Sequence, residues 1–291
     1  MLAARLRNSA SVLADRSKYL PVCKLKRALL NGALFYPLVY LWLPLQIHAS
    51  TLCPATAIDE TAVVRSVTDG DTLRLEDGRK VRLIGINSPE LARDNRPAQP
   101  LANESRTALY RLLAESRNRI NLQYGSERLD PYQRTLAHIY LSDGRNVQAA
   151  MLELGMATAY TTPPNAGRSD CYQSVEQQAI QQRRGLWALP DYQPKTLNQL
   201  GRHDDGFRRV RGRVSRIDRS SGASWIMLNE KLKIRIAAND LIYFNQAWLQ
   251  NLTGKQIEVR GWLHPEQNRF FMQLRHPDAV QVLDKAPAVA K

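Results

Sequence analysis

Cysteine is scarce in this 291-residue chain: Cys23, Cys53 and Cys171 are all it has. No cysteine or histidine stands at the spacing that grips zinc, so a structural zinc site is excluded. Cys53 is also no lipid-attachment site, because Ser50-Thr51-Leu52 is a poor sequence to precede one. Acidic residues are short as well, 27 against 41 Lys and Arg, giving a net charge of +14. The first 49 residues hold 7 basic and 1 acidic residue, so the remainder still carries +8. A surplus of that size favours a polyanionic partner. No strand–helix–strand series recurs along the chain, which excludes a doubly wound parallel sheet. Finally, there is a single long apolar run.

That run, residues 28–47, follows Lys24, Lys26 and Arg27 and leads to the small residues Ala49 and Ser50. The order of positive, apolar and small residues is that of an export signal. About 20 residues could also just span a bilayer as an uncleaved anchor, although Pro37 and Pro44 disfavour a straight helix. The expectation is therefore a signal peptide or membrane anchor over 1–49. The product would be periplasmic or secreted, or tethered if the segment stays. Membrane contact would come only through that segment. Cleavage would leave Cys53 and Cys171, which an oxidising compartment pairs as a disulfide; the alternative is two free thiols.

Past this leader, the stretch from Asp69 to Glu90 reads as a β-hairpin with chemistry at both ends. Residues 72–76 alternate, Asp77-Gly78 supplies a tight primed turn, and 80–86 return as a more buried strand. The turn brings the outer ends together, so Asp71 and Glu90, 19 positions apart, are expected to be neighbours with Arg82 between them. Carboxylates beside a guanidinium suit a hard metal and a phosphate. Arg82 lies between Val81 and Leu83, where a charge needs a partner.

In chain order the pattern predicts a strand at 61–67, the hairpin, a helix at 101–116, strands at 119–124 and 135–141, and helices at 146–154 and 169–187. Three strands, a helix and two strands match a five-stranded Greek-key barrel of the oligonucleotide-binding (OB) type. This gives a mainly β fold with helices, α+β in class. The first domain is expected over 61–188, followed by a linker at 189–205 containing Pro190, Pro194 and Gly201. The same order then recurs without sequence repetition: strands at 207–218, 223–228 and 232–237, a partly helical 240–252, and strands at 256–263 and 270–274. A second, smaller OB-like barrel is expected over 206–284, and a disordered tail over 285–291. The second barrel shows no carboxylate pair, so binding or packing is its expected role. Its Trp225, Tyr243, Phe244, Trp248 and Trp262 suit a barrel core or, alternatively, a stacking platform.

Six blocks in order carry a resemblance to a known family. They are Asp69-Gly70-Asp71-Thr72, the run Val-Arg-Leu-Ile-Gly-Ile at 81–86, Ser88-Pro89-Glu90, Asp130-Pro131-Tyr132-Gln133-Arg134, Leu136-Ala137-His138-Ile139-Tyr140 and Gly185-Leu186-Trp187. Across about 63–187 the chain resembles the staphylococcal nuclease (thermonuclease) family, in particular its exported bacterial members with a C-terminal extension. The resemblance implies a calcium-dependent nuclease acting on DNA, RNA or both and leaving 3′-phosphate ends, with no obligate protein partner. It places the metal on Asp71, Asn87 and the Ser88 carbonyl, the general base on Glu90, and phosphate binding on Arg82 and Arg134. Tyr132 and Tyr160 fall on the substrate side. The sequence departs from the family at Asn87, which stands for an aspartate, and at Gln133, which stands for a glycine. One competing reading is an exported nucleic-acid-binding protein that keeps the barrel and has lost catalysis. The other is an envelope interaction protein working through its second barrel.

Overall fold

Two five-stranded barrels, each closed in the same order, make up the computed structural model, which describes residues 52–93 and 96–283. The leader expected over 1–49 and the tail expected over 285–291 lie outside the described residues. In the first barrel, β1 (Glu60–Val67), β2 (Thr72–Leu75) and β3 (Lys80–Leu83) form an antiparallel meander. Short β4 (Gly85–Asn87) and helix α1 (Ala102–Glu115) follow, then β5 (Arg119–Leu129) and β6 (Thr135–Leu141). β6 runs parallel to β3, with Val81 opposite Thr135, and β5 closes the barrel against β1. The alternation that marked the hairpin sends Leu73 and Leu75 inward, where they meet Val81, Leu83, Ile120, Leu122 and Ile139. α1 caps this core with Leu109 and Leu113. Each such fully buried aliphatic side chain stabilises the fold by roughly 2 kcal/mol.

Helix α2 (Val147–Glu153), strand β7 (Thr158–Tyr160) and helix α3 (Ser169–Gln181) complete the domain. The strand expected over 80–86 is broken: Gly85 has φ +83°, and the chain turns there so that β4 leaves the barrel and pairs with β7 instead. A side chain at Gly85 would strike the Tyr172 ring, so the turn needs both the conformation and the absence of a Cβ. The helix expected over 169–187 stops at Gln181, because Arg183 and Gly185 take left-handed φ values of 50° and 51°. Cys53 and Cys171 form a disulfide with Cα atoms 5.7 Å apart, tying the N-terminal arm to α3.

Residues 189–205, expected as a linker, are packed. Tyr192 and Leu197 are buried, and β8 (Lys195–Thr196) pairs with the first strand of the second barrel. That barrel comprises β9 (Gly206–Ser220), β10 (Ala223–Leu228), β11 (Leu232–Ala237), β12 (Gln256–Pro265) and β13 (Phe270–Leu274). Its order is β9-β10-β11-β13-β12, closed between β12 and β9, with β13 parallel to β11 and α4 (Gln246–Gln250) before β12. β14 (Val280–Val282) extends one edge. In β11 the strict alternation buries Leu232, Ile234 and Ile236 and turns Lys233 and Arg235 outward. Of the aromatics read as core, Phe244 is buried, whereas Trp225 lies partly exposed with Lys233 Nζ 4.0 Å from its ring centre.

The barrels belong to one compact unit. Aromatic rings join them in series: Trp187 meets Tyr192, Tyr192 stacks on Phe207, Phe207 meets Trp262, and Trp262 meets Tyr160, all with centroids within 5.8 Å. A buried ion pair between Glu176 of α3 and Arg260 of β12 lies beside this series.

Candidate active site

The hairpin brings its ends together through Asp71. This carboxylate is buried, and its Oδ2 accepts the Ser88 backbone N–H at 2.6 Å while standing 3.2 Å from Arg82 Nη2. Its Oδ1 accepts from the Thr72 hydroxyl at 3.1 Å. Arg82 has the partner its apolar neighbours demanded. It also donates to Leu83 O at 2.7 Å and to Asn87 Oδ1 at 3.0 Å. Asn87 Nδ2 donates in turn to Ser88 O at 3.0 Å. Asp71, Arg82, Asn87 and Ser88 thus form one connected set.

Asp69 is the member that sequence reasoning left out. It is buried beside Asp71, and its Oδ1 accepts the Asp71 backbone N–H at 3.1 Å. Burial first, and the charge of Asp71 second, push its carboxyl up to about 6. Gly70, between the two aspartates of the Asp-Gly-Asp motif, packs so closely on Ser88 and Ser105 that a Cβ would collide with both. That close packing buries the two aspartates flanking Gly70, but nothing in the local sequence reports it.

Arg134 reaches the site from the turn before β6. Asp130 organises this turn: its Oδ1 accepts from the backbone N–H of Tyr132 and of Arg134, both at 2.9 Å, and its Oδ2 accepts Arg134 Nε at 2.6 Å. Gln133 adopts φ +60°, the left-handed conformation that a glycine would take without strain. Tyr132 is 80% exposed, with the Arg134 guanidinium 5.5 Å from its ring centre. Tyr160 sits at the end of β7, one residue beyond Ala159, whose backbone N–H donates to Glu176 at 2.6 Å.

Arg82, Tyr132, Arg134 and Tyr160 line one cleft of about 360 Å³, together with Glu127, Asn165 and Arg275. Burial raises the Tyr160 phenol above its ordinary value, against the opposing pull of the Arg275 and Arg82 charges. Glu90 stands outside this constellation. It is exposed on the loop after β4, its backbone N–H donates to Gln99 Oε1 at 3.0 Å, and its carboxylate has no partner among the described residues. Nor do three or more Asp, Glu, His or Cys side chains converge anywhere among the described residues.

Such a site pairs fixed cations with oxygen donors. Two guanidiniums offer bidentate donors to phosphate oxygens, and the Asp69–Asp71 pair presents buried negative charge beside them.

Known proteins resemble this chain over its first barrel. Residues 80–189 match the family model described as staphylococcal nuclease homologue. The thermonuclease of Staphylococcus intermedius is 33% identical over 132 residues, 44% of this chain and 76% of that protein. That of Staphylococcus hyicus is 29% identical over 138 residues, 46% of this chain and 79% of its own length. Endonuclease YncB of Bacillus subtilis is 30% identical over 128 residues, 43% and 60% of the two chains. The match to the family model ends before the second barrel begins. On the identity and coverage of the first of these relatives, and on the family-model match over residues 80–189, this chain belongs to the staphylococcal nuclease family of hydrolases.

Proposed function

We propose that this nuclease is an exported, calcium-dependent phosphodiesterase cleaving DNA, RNA or both. The observation that carries this reading is the cleft that gathers Arg82, Arg134, Tyr132 and Tyr160 next to the buried Asp69–Asp71 pair. A phosphodiester is already anionic, so an attacking water is repelled and the transition state gathers further charge. Arg82 and Arg134 neutralise that charge on the phosphorus oxygens. Loss of one such preorganised donor costs about 3 kcal/mol of barrier, roughly a hundredfold in rate. Glu90 acts as the base: its carboxylate, without a partner among the described residues, takes the proton of a water attacking phosphorus, the new P–O bond forms, the bond to the departing sugar oxygen breaks, and that oxygen takes up a proton from solvent. Departure of the 5′ oxygen leaves a 3′-phosphate end. Tyr132 and Tyr160 flank the substrate.

The residues fit a hard divalent cation. The atoms that Asp71, Asn87 and Ser88 offer are carboxylate, amide and carbonyl oxygens, and Asp69 adds a second buried carboxylate beside them. Asp71, the Asn87 side-chain oxygen and the Ser88 carbonyl would hold it. Bound calcium would polarise a phosphate oxygen. Because Arg82 engages both Asp71 and Asn87, ion and guanidinium share ligands, and phosphate is the group that satisfies both. Export accounts for the basic-then-apolar leader and for the Cys53–Cys171 disulfide, a bond at home in an oxidising compartment.

The test is incubation of the purified chain with single-stranded DNA and RNA, in calcium or in chelator. Calcium-dependent degradation that fails in Glu90→Gln and Arg134→Ala is the expected result. Binding that persists without degradation would instead establish a silent nucleic-acid-binding module.

A further inference from the structure

Arg275 belongs to the second barrel, immediately after β13, yet it lines the cleft that holds Arg82, Arg134 and Tyr160. Other contacts hold the barrel in that position. Arg260 pairs with Glu176, Asp278 accepts the Thr161 hydroxyl, and Trp262 meets Tyr160 with ring centroids 5.4 Å apart. The first two are close, charge-assisted contacts of the kind that fasten an interface.

Arg275 is held differently. Its Nε and Nη2 stand 3.4 and 3.5 Å from Oδ1 of the buried Asp240, and Nη2 stands 3.4 Å from the Pro163 carbonyl. All three distances are at the long limit of hydrogen bonding, for a group with five donors and a side chain 37% exposed. Asp240 and Pro163 therefore orient the guanidinium without saturating it. The acidic residues lining the cleft are Asp130, already engaged by Arg134, and Glu127. Asn165, another lining residue, is held in place by two hydrogen bonds of 3.0 Å that its side chain exchanges with the Glu127 backbone.

We propose that the second barrel completes the substrate cleft and that Arg275 binds a phosphate of the nucleic-acid strand adjacent to the one held by Arg82 and Arg134. The proposal rests on the reading of this cleft as the nuclease site. It gives the second barrel a role in holding substrate, through one cation delivered across the domain interface. Arg275 belongs to binding, so its loss should act on affinity and on KM and leave kcat little changed.

The experiment measures binding of a fluorescently labelled eight-nucleotide single-stranded DNA to the full chain by anisotropy, in chelator, across a salt series. Arg275→Ala should weaken binding by about tenfold. It should also lower the slope of log affinity against log salt by about 0.7, the loss of one phosphate contact to a single strand. Arg275→Lys should restore the slope. Thr161→Val loosens the same interface without removing a cation, so it should keep the wild-type slope. A wild-type slope in Arg275→Ala overturns the proposal, and so does a wild-type chain that binds no oligonucleotide. Wild-type binding without cleavage in calcium, combined with the slope change in Arg275→Ala, would refute the catalytic reading and uphold Arg275 as a phosphate-binding residue.

Discussion

Replacing Arg260 with Met tests whether the two barrels are one mechanical unit. Arg260 is the charge partner of Glu176, whose side chain is fully buried in α3 and otherwise, among the described residues, accepts the Ala159 backbone N–H at 2.6 Å. Arg260→Met leaves that carboxylate buried with a single neutral donor. Breaking a buried pair from one side costs about 3–5 kcal/mol, most of it the stranded charge. For a folded body of this size, each kcal/mol moves the melting temperature by about 2–4 °C, so a fall of roughly 6–20 °C is expected. Changing Glu176 to Gln as well removes the stranded charge and keeps an acceptor for the Ala159 N–H. The double variant should therefore recover most of the loss. Because Ala159 precedes Tyr160, the single variant should also raise KM. Thermal melts of the wild type, both single variants and the double variant form a complete cycle. A fall under about 1 kcal/mol in Arg260→Met, or losses that simply add in the double variant, would refute the reasoning.

Three further outcomes follow from the site and its surroundings. Asn87→Asp adds a carboxylate to the oxygen set around Asp71, so calorimetric titration should find calcium bound at least about tenfold more tightly than by the wild type without substrate; equal affinities would show that position 87 does not set the strength of ion binding. His138 is buried against the Tyr172 hydroxyl, and burial first, then the Arg168 charge, hold its pKa down to about 3 from the ordinary 6.5. Between those values the unfolded chain binds the proton and the folded chain does not. Stability is therefore full above pH 6.5 and declines as pH falls, by roughly 2–3 kcal/mol at pH 4.5; urea melts from pH 7.5 to 4.5 should show a decline that is shallower in His138→Gln. Gln133→Gly releases left-handed strain of about 1–2 kcal/mol and adds unfolded-chain entropy of about 0.5–1 kcal/mol. The net change in denaturant stability should be small and positive, and a loss above about 1 kcal/mol would show that the Gln133 side chain makes a needed contact.

Much of the barrel was legible because its signals are local. Alternation at 72–76 and 232–237 fixed which side chains face inward, whereas the two-residue primed turn expected at Asp77-Gly78 is instead a three-residue loop, Glu76, Asp77 and Gly78, in which Gly78 alone takes a positive φ, of 92°. Tyr160 was recognised by resemblance alone, since β7 is three residues long and pairs with a strand more than 70 positions earlier. The segment 189–205 read as a linker because proline and polar residues dominate it, while the burial of Tyr192 depends on Trp187 and Phe207 from either side. The aromatic residues of the second barrel divided between core, interface and surface, a division that the period of a strand does not encode.

By itself the sequence determined the order of strands, the hairpin that joins Asp71 to Arg82, and the set of charged residues available for phosphate chemistry. These rest on turn geometry and side-chain alternation, which act over a few residues. Tertiary structure alone decided that Asp69 would be buried beside Asp71, that Glu176 would find Arg260, and that Arg275 would line the cleft. The physical reason is that desolvation and charge pairing are set by whichever surface packs against a group, and here those surfaces come from distant parts of the chain.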